Sequence, residues 1–149
     1  MQVRRLAPGD EDAVLAAAHL FDEAPDRQAT AALLASPTDH LLLAFVGEQA
    51  AGFALAHELR RLDGPPELFL YEIATDPAFQ RQGVARALIG ALKETARRLP
   101  AKNIFVLTHA LNRPAMALYT ATGGSSAGDD ATGIVMFDYE LETETGQDS

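Results

Sequence analysis

The chain has 149 residues, of which 48% are hydrophobic, and its formal net charge is −9, so we expect one domain over residues 1–141 and a disordered acidic tail over residues 142–149. The absence of cysteine excludes disulfides and a thiolate nucleophile, and no run of about 18 apolar residues could span a membrane. No basic stripe indicates a nucleic-acid partner, and no signal-peptide core follows Met1, so we expect a cytoplasmic protein.

The hydrophobic and turn patterns predict alternating strands and helices without repeats. A first strand over Gln2–Leu6 is closed by Pro8-Gly9, and Asp10 is suited to cap a helix over Glu11–Phe21. The later elements are a helix over Arg27–Ala35, strands over His40–Val46, Ala51–Leu59 and Glu67–Thr75, a helix over Gly83–Leu99, a strand over Asn103–Thr108, a short helix over Pro114–Thr122 and a strand over Ile134–Leu141. This order predicts a mixed α/β sheet with helices on both faces.

The most informative segment is the turn Gln80-Arg81-Gln82-Gly83-Val84-Ala85-Arg86, which joins the predicted central strand to the long helix. The start of a helix leaves about four backbone N–H groups unpaired and carries roughly half a positive charge. Gly83 lets a ligand approach the backbone closely, and Ala85 adds little bulk. The turn therefore suits a diphosphate. Two common nucleotide-binding motifs are absent from the sequence, namely Gly-x-x-x-x-Gly-Lys-Ser/Thr and Gly-x-Gly-x-x-Gly after a strand.

A second segment follows at a suitable distance and reads Asn112-Arg113-Pro114-Ala115-Met116-Ala117-Leu118-Tyr119 before Thr-Ala-Thr-Gly-Gly. The two segments, in this order, resemble the pyrophosphate loop (Gln/Arg-x-x-Gly-x-Gly/Ala) and the later motif of the GNAT acetyltransferases. The resemblance implies the GNAT fold, a single GNAT domain and acetyl-CoA as cosubstrate. It also implies that Asn112 contacts the cofactor and that Tyr119 faces its sulfur.

The resemblance assigns most of the cofactor contacts to the backbone. Groups of Ile73 and Thr75 would bind the acetyl carbonyl and the pantetheine arm, which requires that a neighbouring strand diverges. Arg81 and Arg86 would add charge, or they are simply solvated arginines at a helix start. The implied cofactor-binding residues are Ile73, Ala74, Thr75, Gln80, Arg81, Gln82, Gly83, Val84, Ala85, Arg86, Asn112, Ala115 and Tyr119.

Glu72 is the predicted catalytic base. An amine of pKa about 10.4 is neutral only about 0.04% of the time at pH 7, so a carboxylate must remove its proton. Glu72 interrupts an apolar run, and strand alternation predicts that it faces away from Tyr71 and Ile73. The alternative is a structural carboxylate paired with an arginine such as Arg60 or Arg113.

Tyr119 is the predicted acid for the departing thiolate. A phenol of ordinary pKa about 10 remains protonated at pH 7 and can donate to the thiolate of a thiol whose ordinary pKa is about 8.5. The alternative is a core tyrosine with a satisfied hydroxyl. Because the chain has no cysteine to carry an acyl intermediate, direct transfer in a ternary complex is expected.

Within the GNAT family the chain is most similar to the type I aminoglycoside 3-N-acetyltransferases. The matching segments are Leu20-Phe21, Tyr71–Thr75, Gln80–Ala85, Pro114–Thr120 and Phe137–Tyr139. This resemblance implies acetylation of N3 of 2-deoxystreptamine. Net acidity suits such a cationic substrate, although solubility alone explains acidity more simply. The implied substrate-binding residues are Asp22, Glu23, Asp26, Tyr71, Glu72 and Asp138.

The chain departs from that group at two places, which leaves other functions open. The group has acidic residues where this chain has His109–Arg113, and its base is an aspartate. A GNAT enzyme acting on a protein N-terminus, a lysine or another small amine, and a non-catalytic acetyl-CoA-binding module, are the alternatives. The family's common dimers imply a homodimer. No metal site is expected, because the four histidines lack ligand spacing.

Overall fold

The computed structural model describes residues 1–141 and contains a six-stranded sheet whose strands lie in chain order. All neighbouring strands are antiparallel except β4 and β5, which are parallel. The predicted mixed α/β fold is confirmed, whereas the predicted tail over 142–149 lies outside the described residues. The elements are β1 (Gln2–Arg5), α1 (Glu11–Ala16), a 3₁₀ turn (Ala18–Leu20), α2 (Arg27–Ala35), β2 (Asp39–Val46), β3 (Gln49–Leu59), β4 (Glu67–Thr75), a 3₁₀ turn (Pro77–Phe79), α3 (Val84–Arg98), β5 (Asn103–His109), α4 (Arg113–Ala121) and β6 (Ile134–Glu140).

Helices cover both faces of the sheet because alternate strand residues point to opposite sides. On β2, Leu42 belongs to the core under α3 and α4, whereas Leu41 and Leu43 belong to the core under α1 and α2. The amphipathic helix α3 buries Leu88 and Leu92 against the first of these faces. Each such leucine stabilises the fold by roughly 1.5–3 kcal/mol. None of the helices in residues 1–141 is long and apolar enough to cross a membrane.

Strands β4 and β5 separate soon after they meet. Their pairing consists of Leu68 with Ile104 and Phe69 with Phe105. Beyond this point β4 continues to Thr75 alongside β3 alone, so its other backbone edge is open. The predicted divergence of a neighbouring strand beside Ile73 and Thr75 is therefore present, and it opens a cleft in the sheet.

A β-bulge in β4 overturns the predicted side-chain alternation at the candidate base. Leu55 pairs with Glu72 and Ala56 pairs with Leu70, so Tyr71 is an extra residue without a partner on β3. Such an insertion bends the strand and resets which side each residue faces. As a result, Tyr71 and Glu72 line the same cavity, although alternation predicts opposite faces.

The first helix is shorter than predicted and is not capped by the Asp10 side chain. Helix α1 ends at Ala16, and the backbone has reached an extended conformation at Phe21. The Asp10 carboxylate instead accepts a hydrogen bond from the Ala7 N–H at 2.8 Å, which removes it from the helix start. After Phe21 the chain leads to α2, where Asp26 caps the helix by accepting from the Ala29 N–H at 2.8 Å.

Candidate functional site

A cavity of about 590 Å³ occupies the cleft between the end of β4 and the starts of α3 and α4. The structure brings together here every predicted cofactor-binding residue except Gln82. The lining residues are Ile73, Ala74, Thr75, Gln80, Arg81, Gly83, Val84, Ala85, Arg86, Asn112, Pro114, Ala115, Leu118 and Tyr119. We refer to this space as the cofactor cleft.

The turn before α3 contains two residues with left-handed backbone angles and open space in front of the helix start. Arg81 and Gly83 both have left-handed backbone angles, with φ of 66° and 81°, and Gly83 is the N-cap of α3. A Cβ added to Gly83 would meet no atom within 4 Å, so the space above the turn is open. Neither Arg81 nor Arg86 forms an ion pair with any described residue, which leaves both guanidinium groups available to a ligand.

A smaller cavity of about 270 Å³ adjoins the cofactor cleft, and we call it the transfer cavity. It shares Ile73, Ala74, Asn112 and Tyr119 with the cofactor cleft. Its other lining residues are Leu20, Asp22, Phe53, Tyr71, Glu72, Val106, Leu107 and Thr108. Both predicted catalytic side chains, Glu72 and Tyr119, therefore line one space.

Tyr119 is buried in the core and lines both the cofactor cleft and the transfer cavity. The residue is 4% exposed, and its ring lies 5.5 Å from that of Phe137. Burial, together with the neighbouring Tyr139, raises the pKa of the Tyr119 phenol to about 12. Within residues 1–141 no hydrogen bond involves this hydroxyl, so the alternative of a satisfied core tyrosine is not realised there. The hydroxyl is a donor that remains protonated throughout the physiological pH range.

Glu72 is exposed rather than buried, because the strand bulges and the neighbouring strand diverges. It makes no ion pair with any residue of the described part of the chain, so the predicted alternative of an arginine partner is not realised there. Glu72 lines both the transfer cavity and a third cavity of about 390 Å³. Its carboxylate is therefore free to meet a ligand from either side.

The third cavity, which we call the acceptor cavity, has an apolar floor and an acidic wall. Phe53 and Leu55 of β3 form part of the floor. The predicted substrate-binding residues Asp22, Glu23 and Asp26 lie in the wall, and no basic residue among those described lines the cavity. Asp22 also lines the transfer cavity. The three cavities thus adjoin in the order cofactor cleft, transfer cavity, acceptor cavity.

Asp138 is the predicted substrate-binding residue that the structure does not bring to these cavities. It lies on β6, and its carboxylate accepts a hydrogen bond from the Asn103 side chain at 3.0 Å. Strand β5 stands between β4 and β6, so Asp138 is about two strand spacings, or roughly 10 Å, from β4. The sequence segment places Asp138 on a strand but does not indicate which strand lies beside it.

Several cavity residues were not predicted from the sequence. Leu20 and Phe53 line the transfer cavity, and Pro114 and Leu118 line the cofactor cleft. Pro114 and Leu118 belong to the second motif, and their spacing from Ala115 could have indicated them. The segment Leu20-Phe21 matches the aminoglycoside group but does not place Leu20 in a cavity, and Phe53 has no comparable signal. Both positions depend on long-range structure, namely how α1 ends and the register of β3.

The family model for the acetyltransferase (GNAT) family matches residues 10–123. A search of the curated proteins found no match.

Solved structures share the fold at low sequence identity. An aminoglycoside acetyltransferase from an uncultured soil metagenomic sample, in complex with sisomicin, is 22% identical with a TM-score of 0.76, over 81% of this chain and 86% of that one. The ribosomal-protein-S18-alanine N-acetyltransferase from Escherichia coli is 21% identical with a TM-score of 0.70, over 95% and 94%. The putative acetyltransferase yncA from Salmonella typhimurium, with its cofactor acetyl-CoA, is 18% identical with a TM-score of 0.73, over 97% and 95%. With the family model covering most of its length, the chain belongs to the GNAT family of acetyltransferases.

Proposed function

We propose that this enzyme transfers an acetyl group directly from acetyl-CoA to an amine of an aminoglycoside, at N3 of the 2-deoxystreptamine ring. The observation that carries the proposal is the transfer cavity. It joins a cleft suited to a diphosphate to an acidic cavity, and Glu72 and Tyr119 both line it. Resemblance to the type I aminoglycoside 3-N-acetyltransferases supports the choice of N3.

The cofactor cleft supports acetyl-CoA as the acetyl donor. The N–H groups at the start of α3 would bind the pyrophosphate, since a helix start attracts anions and Gly83 leaves its approach open. The free edge of β4 at Ile73 and Thr75 would bind the pantetheine arm and orient the acetyl carbonyl. The Salmonella neighbour, whose structure contains acetyl-CoA, supports the same cosubstrate.

Glu72 would supply the base for the attacking amine. The carboxylate takes a proton from the substrate ammonium group, and the freed amine nitrogen bonds to the acetyl carbon. The C–S bond then breaks, CoA leaves as the thiolate with the bonding electron pair, and the nitrogen releases its second proton to solvent to give the neutral amide. Because Glu72 lines both the acceptor and the transfer cavity, it can contact an amine that approaches from the acceptor side.

Tyr119 would act mainly as a hydrogen-bond donor to the departing sulfur. Its phenol pKa is raised to about 12, whereas an ordinary thiol has a pKa of about 8.5, so complete proton transfer to the thiolate is uphill by roughly 5 kcal/mol. A hydrogen bond to the developing negative charge avoids this cost and still stabilises the transition state. Solvent then protonates the thiolate of free CoA.

The acidic wall of the acceptor cavity supports a polycationic substrate. Asp22, Glu23 and Asp26 would each offer a charge-assisted hydrogen bond to an ammonium group. The sisomicin complex of a structural neighbour supports this substrate class. The family's common dimers support a homodimer, which size-exclusion chromatography with light scattering tests. The absence of cysteine and of a signal-peptide core in the sequence supports a cytoplasmic location.

Acetylation of a protein N-terminus is the second candidate. It is favoured by the E. coli neighbour, a ribosomal-protein-S18-alanine N-acetyltransferase that aligns with nearly the whole of this chain.

A panel of acceptors tests the proposal. Acetyl-CoA turnover is measured with gentamicin-like aminoglycosides, polyamines and peptides with free N-termini, and the product is located by mass spectrometry and NMR. The proposal expects the highest kcat/KM with an aminoglycoside and the acetyl group on N3. Turnover with peptides alone would establish the second candidate, and acetyl-CoA binding without turnover of any acceptor would indicate a non-catalytic module.

A further inference from the structure

We propose that His109 is a positioning residue that holds the loop between β5 and α4 in the conformation that binds acetyl-CoA. The inference rests on the proposed role of Asn112 at the cofactor. Asn112 lines both the cofactor cleft and the transfer cavity, and its side chain accepts a hydrogen bond from the Ala115 N–H at 3.2 Å. The side-chain oxygen of Asn112 thus caps α4, and the amide nitrogen forms no hydrogen bond within residues 1–141, so it remains a donor for a ligand.

The His109 ring makes a hydrogen bond through each of its nitrogens. Nδ1 accepts from the Leu111 N–H at 3.0 Å, so the ring proton belongs on Nε2, which donates to the Thr132 carbonyl at 3.2 Å. The ring is therefore used in its neutral form. It ties the segment immediately before Asn112 to a turn that precedes β6.

The turn before β6, which carries the Thr132 carbonyl, is held by hydrogen bonds within the turn itself. The Asp130 carboxylate accepts from the N–H groups of Thr132 at 2.7 Å and Ile134 at 3.1 Å, and these bonds hold the Thr132 carbonyl in place. Gly133 has a φ of +87°, and a Cβ added there would lie 2.5 Å from His109 Nε2. The absence of a side chain at Gly133 is what allows the ring to occupy this position.

Asn112 is placed through the same segment. Its N–H donates to the His109 carbonyl at 2.8 Å, and the Ala110 N–H donates to the Gly133 carbonyl at 2.8 Å. The two hydrogen bonds of the His109 ring add to these backbone hydrogen bonds and hold the same loop. Without the ring, the Leu111 N–H and the Thr132 carbonyl lose their partners, and the loop must be ordered when acetyl-CoA binds. The free energy needed to order the loop then weakens the affinity for acetyl-CoA.

The test compares acetyl-CoA dissociation constants by calorimetry for the wild type, His109→Ala and Gly133→Ala. Loss of about one net hydrogen bond corresponds to roughly a tenfold rise in Kd. We expect such a rise in both variants, with kcat at saturating acetyl-CoA and the acceptor KM unchanged. His109→Asn should recover part of the affinity, because its Oδ1 can accept from the Leu111 N–H.

His57→Ala is the matched control, since His57 also forms a side-chain contact, with Asp39 at 2.6 Å, but lies on β3 outside this loop. It should leave the acetyl-CoA Kd unchanged, and thermal unfolding of each variant separates a local effect from loss of the fold. Wild-type acetyl-CoA affinity in both His109→Ala and Gly133→Ala would overturn the inference, as would a change confined to the acceptor KM. Failure of aminoglycoside turnover with intact acetyl-CoA binding would instead defeat only the proposed acceptor.

Discussion

Tyr71 and Glu72 are consecutive residues of β4, yet both line the transfer cavity because Tyr71 is the extra residue of a bulge. The bulge also lies near the point where β5 separates from β4. One local irregularity therefore turns the candidate base toward the acceptor side, while the free backbone of Ile73–Thr75 lies beside the cofactor cleft. The geometry supports predictions for the cofactor turn, the acidic wall and both catalytic side chains.

The first prediction concerns the turn before α3. Gly83→Glu should abolish acetyl-CoA binding, because it adds bulk and negative charge where the pyrophosphate would lie, at a residue with left-handed φ. Gly90→Glu is the matched control, since Gly90 lies in the middle of α3 and a Cβ there meets no atom within 4 Å. Calorimetry with acetyl-CoA compares the two. Retained binding in Gly83→Glu would remove the turn from the cofactor site.

The second prediction concerns the acidic wall of the acceptor cavity. Asp22→Asn and Glu23→Gln should each raise the aminoglycoside KM without changing the acetyl-CoA KM, because each removes a charge that lines the acceptor cavity and not the cofactor cleft. The effect should shrink as salt rises, since the Debye length falls from about 10 Å at 0.1 M to about 3 Å at 1 M.

Asp138→Asn is the control for this comparison. Asp138 lies two strands from β4 and is bound to Asn103, so its replacement should leave both KM values unchanged. A larger rise of the aminoglycoside KM in Asp138→Asn than in Asp22→Asn would contradict the prediction and indicate that the acceptor binds on the β6 side of the sheet.

The order of elements, the turn before α3 and most of the cofactor cleft could be predicted because each depends on local sequence. Capping, helix periodicity and glycine conformation act over a few residues. The bulge at Tyr71, the early end of α1 and the distance of Asp138 from the cavities could not be predicted. Each depends on strand register or on packing between residues far apart in the sequence, which periodicity does not encode.

The third prediction concerns the titration of Tyr119. Its phenol should ionise with a midpoint near 12 when followed by ultraviolet absorbance, and Tyr119→Phe should remove this transition. Because burial raises the folded-state pKa above the unfolded value of about 10, the contribution of Tyr119 to stability is complete below pH about 10. That contribution is lost as the pH rises through the folded-state pKa. A Tyr119 midpoint near 10 would show a solvated phenol and contradict the buried position.

Tyr119→Phe should also lower turnover by about tenfold, the effect of one lost hydrogen bond to the developing charge on sulfur. This loss should be smaller than the loss from removing the base, since solvent can protonate the departing thiolate. Steady-state kcat at saturating concentrations of both substrates provides the comparison. An equal or greater loss in Tyr119→Phe would make proton donation, not proton removal, the dominant step.

The most direct measurement of the central claim is the turnover of Glu72→Gln beside its acetyl-CoA dissociation constant. Glutamine keeps the shape of the side chain but cannot accept the ammonium proton, so kcat should fall by roughly 10²–10⁴ while the acetyl-CoA Kd remains unchanged. Glu67→Gln, at the start of the same strand, is the control and should retain wild-type turnover. Near-native turnover in Glu72→Gln would contradict the account, because another carboxylate or a water chain would then be the base.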